Sequence, residues 1–398
     1  MMNLLNLSPE TLRFVRLHRT EDVRELALHA RKYPEVDMAA AVEQIAGWQA
    51  ARKKLPEWAE TEGIVFPKHL SLEQCSSETT ARYKASLAEG ETLADLTGGF
   101  GVDCFYMAEK FQQADYVERQ ERLCEQAVHN FSLLGAGHIR VHCADAVDYL
   151  RRMKPVDFLF LDPARRDVYG GKTVKIADCE PDVCLLEPLL IEKGRSVMVK
   201  LSPMLDIFSV LRDLKSVREI HAVAVNNECK ELLIILRGPL GDTSEPVVCC
   251  EQAVDNFLPE PFRFTYSEER EAPCPLADKV GAYLYEPGAA LLKAGPYRLL
   301  ASRYGVKKLH PNSHLYTSDS LADFPGRRFR VEGVSGFGKG ELKAFLRDTD
   351  KANLTVRNFP SSVADLRKRL RLKEGGDVYL FATTTGGGGK VLVKCVKA

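Results

Sequence analysis

The chain has 398 residues, of which 45% are hydrophobic and 28% are charged, and its formal net charge at pH 7 is zero. A chain of this length exceeds one ordinary hydrophobic core, so we expect a globular protein of two or three domains. No apolar stretch approaches the roughly 20 residues of a membrane-spanning helix, and the first residues lack the basic segment of a signal peptide, which argues against a membrane or secreted protein.

Eleven cysteines are scattered along the chain without a Cys-x-x-Cys pair, and the nine histidines show no spacing typical of metal ligands. Cysteines without such pairing stay reduced in the cytoplasm. We therefore predict a cytoplasmic protein with free thiols and no metal site.

Residues 1–88 are predicted to form a helical segment. Ser8, Pro9 and Glu10 make a favourable helix start, because serine can cap the first turn and proline fits its geometry. Apolar side chains then recur at helical spacing, at Leu12, Val15, Leu26, Leu28, Val42, Ile45 and Trp48. The segment either binds substrate or covers a sheet, and we favour the covering role.

Between residues 89 and 238 the pattern changes to alternating strands and helices. The predicted strands are residues 92–95, 115–118, 139–142, 158–161, 196–200, 220–225 and 232–236. Residues 157–161 and 196–199 are apolar without alternation, which is typical of strands buried on both faces of a parallel sheet. The last two strands are close enough for a hairpin, which would add an antiparallel strand. We expect an α/β fold with a Rossmann-like, seven-stranded sheet.

A glycine-rich turn follows the first predicted strand, which ends at Asp95. The turn contains Thr97, Gly98, Gly99 and Gly101. A dinucleotide-binding turn would carry a third glycine, which is missing here, and Asp103 places a carboxylate in the first helical turn. A carboxylate repels phosphate and suits a cationic ligand such as S-adenosylmethionine (SAM). We predict that Asp95 and these turn residues bind the cofactor; the alternative is an ordinary glycine turn.

The ends of the next two strands carry acids. Open α/β nucleoside sites place an acid about 20 residues after the turn to accept the ribose hydroxyls, and Glu118, with Arg119 beside it, stands at that place. Asp145 follows the third strand and could accept the adenine amino group, while Ala146 could offer its backbone N–H to the ring. The alternative for Glu118 is a surface glutamate in a charged stretch.

The fourth strand runs into Asp162, Pro163, Ala164, Arg165 and Arg166. Methyl transfer from a sulfonium needs positioning more than acid–base chemistry. A carboxylate there could accept the N–H bonds of an amine acceptor, and proline stiffens the turn. We predict that Asp162 and Pro163 are the catalytic pair; the alternative is an aspartate that caps the next helix.

Together these motifs resemble those of class I SAM-dependent methyltransferases. Over most of its length the chain is similar to a family of bacterial methyltransferases that end in a THUMP-like domain. Further matches lie at residues 76–84, 359–370 and 376–382. The resemblance implies a SAM-binding sheet over residues 89–238, a ferredoxin-like or linking region over 239–326, and an RNA-associated α+β module over 327–398.

Two departures from better-known relatives narrow the predicted chemistry. Arg165 stands where amino-group methyltransferases often have an aromatic residue that stacks on the base, although arginine can also stack. Uracil-C5 methyltransferases need a cysteine after the next strand, where this chain has Lys200, Leu201, Ser202 and Pro203. The sequence therefore favours a nitrogen acceptor, with Arg165, Arg166 and Lys200 meeting a phosphate or a base.

The end of the chain is basic, with 16 Lys and Arg against 7 Asp and Glu in residues 327–398. A helix is predicted from Ser362, in which Arg367, Lys368 and Arg371 face solvent. Such a face suits RNA, either tRNA or rRNA, or is simply solvated.

We therefore predict a SAM-dependent methyltransferase that acts on a base nitrogen of RNA. Two alternatives stay open: a methyltransferase for protein or a small molecule, and a non-catalytic RNA-binding adaptor that keeps the fold.

Overall fold

The computed structural model describes residues 7–165, 175–239, 244–253 and 260–398. They fold as two units. The first takes the described residues up to His221 together with those of Lys230–Pro246, and the second takes Ala222–Cys229 and the described residues from Val247 onwards. No helix among the described residues is both long and apolar enough to span a bilayer.

The first unit begins with helices, as its sequence predicts. They are α1 (Pro9–His18), α2 (Val23–Leu28), α3 (Met38–Lys54), α4 (Pro56–Glu60), α5 (His69–Gln74) and α6 (Glu78–Leu87). Ser8 caps α1 by accepting the Thr11 N–H at 3.1 Å, which confirms the predicted start. Phe14, Leu26 and Ile45 are buried together, so α1 to α3 pack on one another, whereas Leu12 and Leu28 of the predicted apolar positions are exposed.

Strands and helices then alternate. The strands are β1 (Thr92–Asp95), β2 (Gln113–Glu118), β3 (Ile139–Cys143), β4 (Val156–Leu161), β5 (Ala164–Arg165), β6 (Cys179–Glu180), β7 (Gly194–Leu201), β8 (Val217–Val225) and β9 (Glu228–Leu236). The helices are α7 (Val102–Ala108), α8 (Glu121–Leu133), α9 (Ala146–Arg152), α10 (Val183–Lys193) and α11 (Ile207–Asp213).

The main sheet has nine strands rather than seven, and seven of them follow the order β8-β9-β7-β4-β1-β2-β3. Strands β7, β4, β1, β2 and β3 are parallel, and β9 lies antiparallel to β7. The arrangement of these seven strands confirms the predicted Rossmann-like α/β fold. Strands β5 and β6 form a separate antiparallel pair just after β4.

The central strands are buried on both faces, as their unbroken apolar runs predict. Phe160 and Leu161 of β4, like Met198 and Val199 of β7, point to opposite faces of the sheet, and all four are buried. The hairpin between β8 and β9 is tighter than predicted, because Asn226 and Asn227 take left-handed backbone angles (φ 50° and 62°). Asparagine tolerates this conformation, so two residues close the hairpin and β9 begins at Glu228.

The second unit contains a β/α arrangement of its own. Its described strands are β10 (Val247–Ala253), β11 (Phe262–Phe264), β12 (Tyr283–Pro287), β13 (Lys307–Lys308), β14 (Tyr316–Ser318), β15 (Gly326–Ser335), β16 (Asn353–Arg357), β17 (Tyr379–Thr384) and β18 (Lys390–Lys397). Its described helices are α12 (Tyr266–Glu271), α13 (Ala289–Ala294), α14 (Tyr297–Arg303), α15 (Lys339–Phe345) and α16 (Val363–Leu370).

The larger sheet of the second unit has the order β13-β14-β12-β15-β18-β17-β16 and carries a core on each face. Leu380 packs in one buried cluster with Leu366 of α16, whereas its neighbour Phe381 packs in another with Phe329. Because successive strand residues point to opposite faces, the two clusters lie on opposite sides of this sheet.

The turn between β1 and α7 is shaped by a close approach to β2. The Gly98 N–H donates to the Val117 carbonyl at 2.8 Å, which brings the turn against the Tyr116 ring. An ideal Cβ at Gly98 would lie 2.2 Å from Cε2 of Tyr116, so only glycine fits there. Gly101, which caps α7, has a φ of 92° and needs glycine for its backbone angle.

We expect Gly98→Ala to lower the free energy of unfolding by about 1–3 kcal/mol, because the added methyl group forces the turn away from Tyr116. Denaturant unfolding measures this loss. Gly137→Ala is the matched control, since a Cβ at Gly137 meets no atom within 4 Å, and we expect it to cost nothing. Equal unfolding midpoints for the two variants would contradict the steric argument.

Candidate functional site

A cavity of about 620 Å³ lies at the carboxyl ends of β1 to β4. Ligands of open α/β sheets bind at this edge of the strands. Most residues that the sequence assigns to cofactor binding or catalysis line the cavity: Asp95, Thr97, Gly98, Gly99, Gly101, Glu118, Arg119, Asp145, Ala146 and Asp162. The structure thus brings together residues that are up to 67 positions apart in the chain.

The glycine turn presents bare backbone to this cavity. Gly99 has a φ of 55°, and a Cβ there would meet only the Thr97 carbonyl oxygen, at 3.8 Å. The Gly99 carbonyl accepts the Tyr116 hydroxyl at 2.5 Å, and its N–H donates to Oε2 of Glu118 at 3.0 Å. The turn is therefore held from β2, with open space beside it.

Glu118 stands where β2 ends and ties two loops together. Its Oε2 accepts the Gly99 N–H, and its Oε1 accepts the Gln120 N–H at 2.9 Å. These bonds fix the carboxylate at the rim of the cavity, with further lone pairs for a ligand. Arg119 is exposed and pairs with Glu180 of β6 at 3.2 Å.

Asp145 has a local role that the sequence analysis did not assign. Its Oδ1 caps α9 by accepting the N–H groups of Val147 and Asp148 at 2.9 and 3.1 Å. The other oxygen, Oδ2, takes no part in this cap. Ala146 is the first residue of α9 and lies beside the same cavity.

Asp162 is fixed through both its backbone and its side chain. The Asp162 N–H donates to Oγ1 of Thr97 at 2.6 Å, which couples the end of β4 to the glycine turn. Its Oδ2 accepts a hydrogen bond from the Lys200 ammonium. Pro163 after it is buried, and the chain continues into strand β5 rather than directly into a helix that Asp162 could cap.

Arg166 lies outside the described residues. The backbone of Arg165 belongs to β5, but its side chain also lies outside what the structure describes.

The predicted basic helix is α16, in the second unit. Ser362 caps it and Leu366 is buried beneath it. Arg367 is turned towards the protein, because its Nη1 donates to the Ala352 carbonyl at 3.1 Å. Lys368 is exposed, and so is Arg371, which is not within the helix as predicted but follows its last residue, Leu370, with a φ of 57°. The structure therefore leaves these two predicted cations on the surface and engages the third.

The sequence analysis missed a buried charge cluster beside the cavity, one member of which, Asp103, also lines the cavity. The Lys84 ammonium, fully buried on α6, lies 2.6 Å from Oε1 of Glu231, 3.0 Å from Oγ of Ser76 and 3.2 Å from Oδ1 of Asp103. Ser76 also donates to Oδ2 of Asp103 at 2.7 Å. Asp103 is therefore neutralised within the protein, whereas its position in the sequence had indicated a carboxylate for a cationic ligand.

Burial and the neighbouring lysines have opposite effects on the pKa values of the acids in this region. Burial raises the pKa of Asp95 well above its ordinary value, and the nearby carboxylate of Asp103 adds to the effect. Burial also opposes ionisation of Asp103, yet Lys84 and Lys200 hold the pKa of Asp103 below its ordinary value. Burial likewise raises the pKa of Glu231, although Lys84 works against this. The ionised form of Asp103 thus depends on the two lysines.

Lys200 carries the cation closest to Asp162. Burial works against its charge, but the carboxylates of Asp162, Asp103 and Glu231 outweigh burial and raise the pKa of Lys200 above its ordinary value. Lys200 is therefore an ammonium at physiological pH, and Asp162 does not present an isolated negative charge.

The described residues fit a nucleoside cofactor. The cavity has room for it, Gly99 lets the ligand approach the backbone, and Glu118 places a two-oxygen acceptor at the end of β2. Asp95 and Asp162 line the same cavity.

Comparisons with known proteins agree with this geometry. Two Mycobacterium tuberculosis proteins, from strains CDC 1551 / Oshkosh and ATCC 25618 / H37Rv, are named uncharacterized SAM-dependent methyltransferases. Each is 25% identical to this chain over 324 residues, which is 80% of this chain and 84% of the relative. A ferredoxin-like domain family matches residues 283–325, and a THUMP domain-like family matches residues 326–397.

A crystal structure from Porphyromonas gingivalis W83, named a "putative methyltransferase", is similar over nearly the whole chain. It is 38% identical, covers 99% of this chain and 98% of its own, and superposes with a TM-score of 0.85. The chain thus belongs to this family of class I methyltransferases with a C-terminal THUMP-like domain, and its cofactor is SAM.

Proposed function

We propose that this methyltransferase transfers the methyl group of SAM to a base nitrogen of RNA. The observation that carries the proposal is the placement of Asp162. It ends β4, is tied to the glycine turn through Thr97, and lies in the same cavity as Glu118. A hydrogen-bond acceptor beside the cofactor is what an N–H acceptor group requires for its orientation.

The cofactor would be held by three strand ends. The turn from Asp95 to Gly101 would face its methionine part, Glu118 would accept the ribose hydroxyls, and Asp145 with Ala146 would meet the adenine. When bound, SAM would supply a methyl group on a sulfonium: the carbon–sulfur bond would break as the carbon–nitrogen bond forms, S-adenosylhomocysteine would be left, and the methylated nitrogen would release one N–H proton to solvent.

The acceptor would be a neutral nitrogen. Oδ2 of Asp162 is engaged by Lys200, so Oδ1 is the oxygen that would accept an N–H from the substrate. Because the Lys200 ammonium balances the carboxylate, this end of the cavity exerts little pull on a protonated amine. A base amino group, which is uncharged at neutral pH, suits such a place better than a lysine side chain does. Pro163 would limit the motion of the turn.

RNA as the substrate is supported by the end of the chain. Residues 326–397 match the THUMP domain-like family, and Lys368 of α16 is exposed together with Arg371, which follows the helix. Cations that neutralise phosphates release counterions, so binding would weaken steeply with salt. Filter binding of transcript RNA over a salt series separates this proposal from a protein or small-molecule substrate, for which we expect a flat response.

We expect Glu118→Ala to weaken SAM binding by about 1.5–3 kcal/mol, because a charged acceptor of the ribose hydroxyls is lost. Isothermal titration calorimetry measures this change. Glu89→Ala, which removes an exposed carboxylate before β1, is the control and should bind SAM as the wild type does. Unchanged affinity in the Glu118 variant would reject the ribose role.

We expect Asp162→Asn to reduce kcat by about 100-fold or more, because the acceptor nitrogen loses its orienting carboxylate. SAM affinity should stay close to that of the wild type, in contrast to the Glu118 variant. Single-turnover transfer and calorimetry on the same protein preparation measure the two properties. Lost SAM affinity with a normal transfer rate would show that Asp162 serves the cofactor instead.

We expect one N-methylated nucleoside to disappear from the RNA of cells that lack this gene. Mass spectrometry of digested tRNA and rRNA detects the loss. The purified protein with SAM should restore the nucleoside in RNA from those cells, and the Asp162→Asn protein should not. If no nucleoside changes and no RNA is methylated, the RNA proposal fails; restoration by the Asp162 variant would remove the catalytic assignment.

A further inference from the structure

Lys200 lies behind Asp162, on the protein side. Lys200 is the last residue but one of β7, and Asp162 directly follows the neighbouring parallel strand β4, so the two residues lie together at one edge of the sheet. The Lys200 side chain is 12% exposed, whereas that of Asp162 is 37% exposed. Among the described residues, Asp162 lines the cavity and Lys200 does not. The Lys200 ammonium therefore affects the cavity through its hydrogen bond to the Asp162 carboxylate.

Two further carboxylates lie near the Lys200 ammonium and bear on which acid it contacts. Asp103 and Glu231 also attract the Lys200 ammonium. Both of these carboxylates already contact the Lys84 ammonium, at 3.2 and 2.6 Å. Because Lys84 already pairs with Asp103 and Glu231, the Lys200 ammonium donates its hydrogen bond to Asp162.

We propose that Lys200 is a positioning residue for methyl transfer, which holds Oδ2 of Asp162 so that Oδ1 points to the acceptor nitrogen. The inference rests on the proposed role of Asp162. It replaces the expectation that Lys200 itself meets a phosphate or base of the substrate. A buried lysine that donates a hydrogen bond to a carboxylate fixes the rotamer of that carboxylate. A solvent-exposed cation would not fix it.

Steady-state kinetics distinguishes the two roles of Lys200. We expect Lys200→Met to lower kcat by about 10-fold or more, with little change in the KM for RNA or in SAM affinity, because orientation acts on the transfer step. Lys200→Arg keeps a charged donor and should recover part of the rate. Lys154→Met, at an exposed lysine before β4, is the matched control. Thermal unfolding of each variant confirms that it is folded.

A direct contact with phosphate would behave differently. It predicts a higher KM for RNA at unchanged kcat and a shallower salt dependence of binding. That pattern would overturn the proposal. A loss of SAM affinity in Lys200→Met, or no recovery in a folded Lys200→Arg protein, would overturn it as well.

A second measurement does not depend on activity. NMR with ¹³Cε-labelled lysine follows the titration of Lys200, whose signal is identified by its loss in Lys200→Arg. In the wild type, this signal should titrate above the pH of about 10.4 that is ordinary for lysine, and Asp162→Asn should lower that pH. An unchanged titration in the Asp162 variant would refute the pairing. If the Lys200 signal of the wild type titrates at the expected high pH but the protein methylates no RNA, the proposed function is refuted instead.

Discussion

The hydrogen bonds that join the ends of β1, β2 and β4 are the constraint on which the site depends. Parallel strands end at one edge, where their last backbone groups lack sheet partners. Here, side chains supply those partners: Glu118 accepts the Gly99 N–H, and Thr97 accepts the Asp162 N–H. Each bond links one strand end to the glycine turn. The turn, the proposed ribose acceptor and the proposed catalytic carboxylate therefore occupy fixed relative positions before any ligand binds.

The interior behind this edge holds more acids than bases, and two lysines keep the balance. Removing a charge from water is costly unless a partner compensates for it. Lys84 contacts Glu231 and Asp103, while Lys200 contacts Asp162. The pKa of Asp95, which has no such lysine contact among the described residues, is raised well above its ordinary value by burial. Asp103 and Asp162 both line the cavity and both have a lysine partner, but the Asp162 side chain is the more exposed of the two, at 37% against 11%.

Local sequence patterns predicted the strands and helices well, because strand burial and helix capping act over a few residues. The first strand, Thr92–Asp95, has the predicted bounds, and the helix capped by Ser362 begins as expected. Contacts between distant residues were not predictable in this way. Lys84 and Glu231 are 147 positions apart, and nothing local pairs them. The sequence held one signal for this pair, which is Glu231 directly before the apolar run of β9. A glutamate at such a place indicates a buried charge that needs a partner.

The pairing of Asp162 with Lys200 bears on which acceptor the enzyme can use. An isolated carboxylate near the methyl donor would favour a protonated amine, and a protonated nitrogen has no lone pair with which to attack. A carboxylate already balanced by an ammonium attracts cations less, but its second oxygen still accepts a hydrogen bond with a defined direction. In the proposed reaction, selection therefore depends on the N–H geometry of a neutral group. Lys200 would contribute to specificity as well as to rate, because the same hydrogen bond sets the charge and the orientation of Asp162.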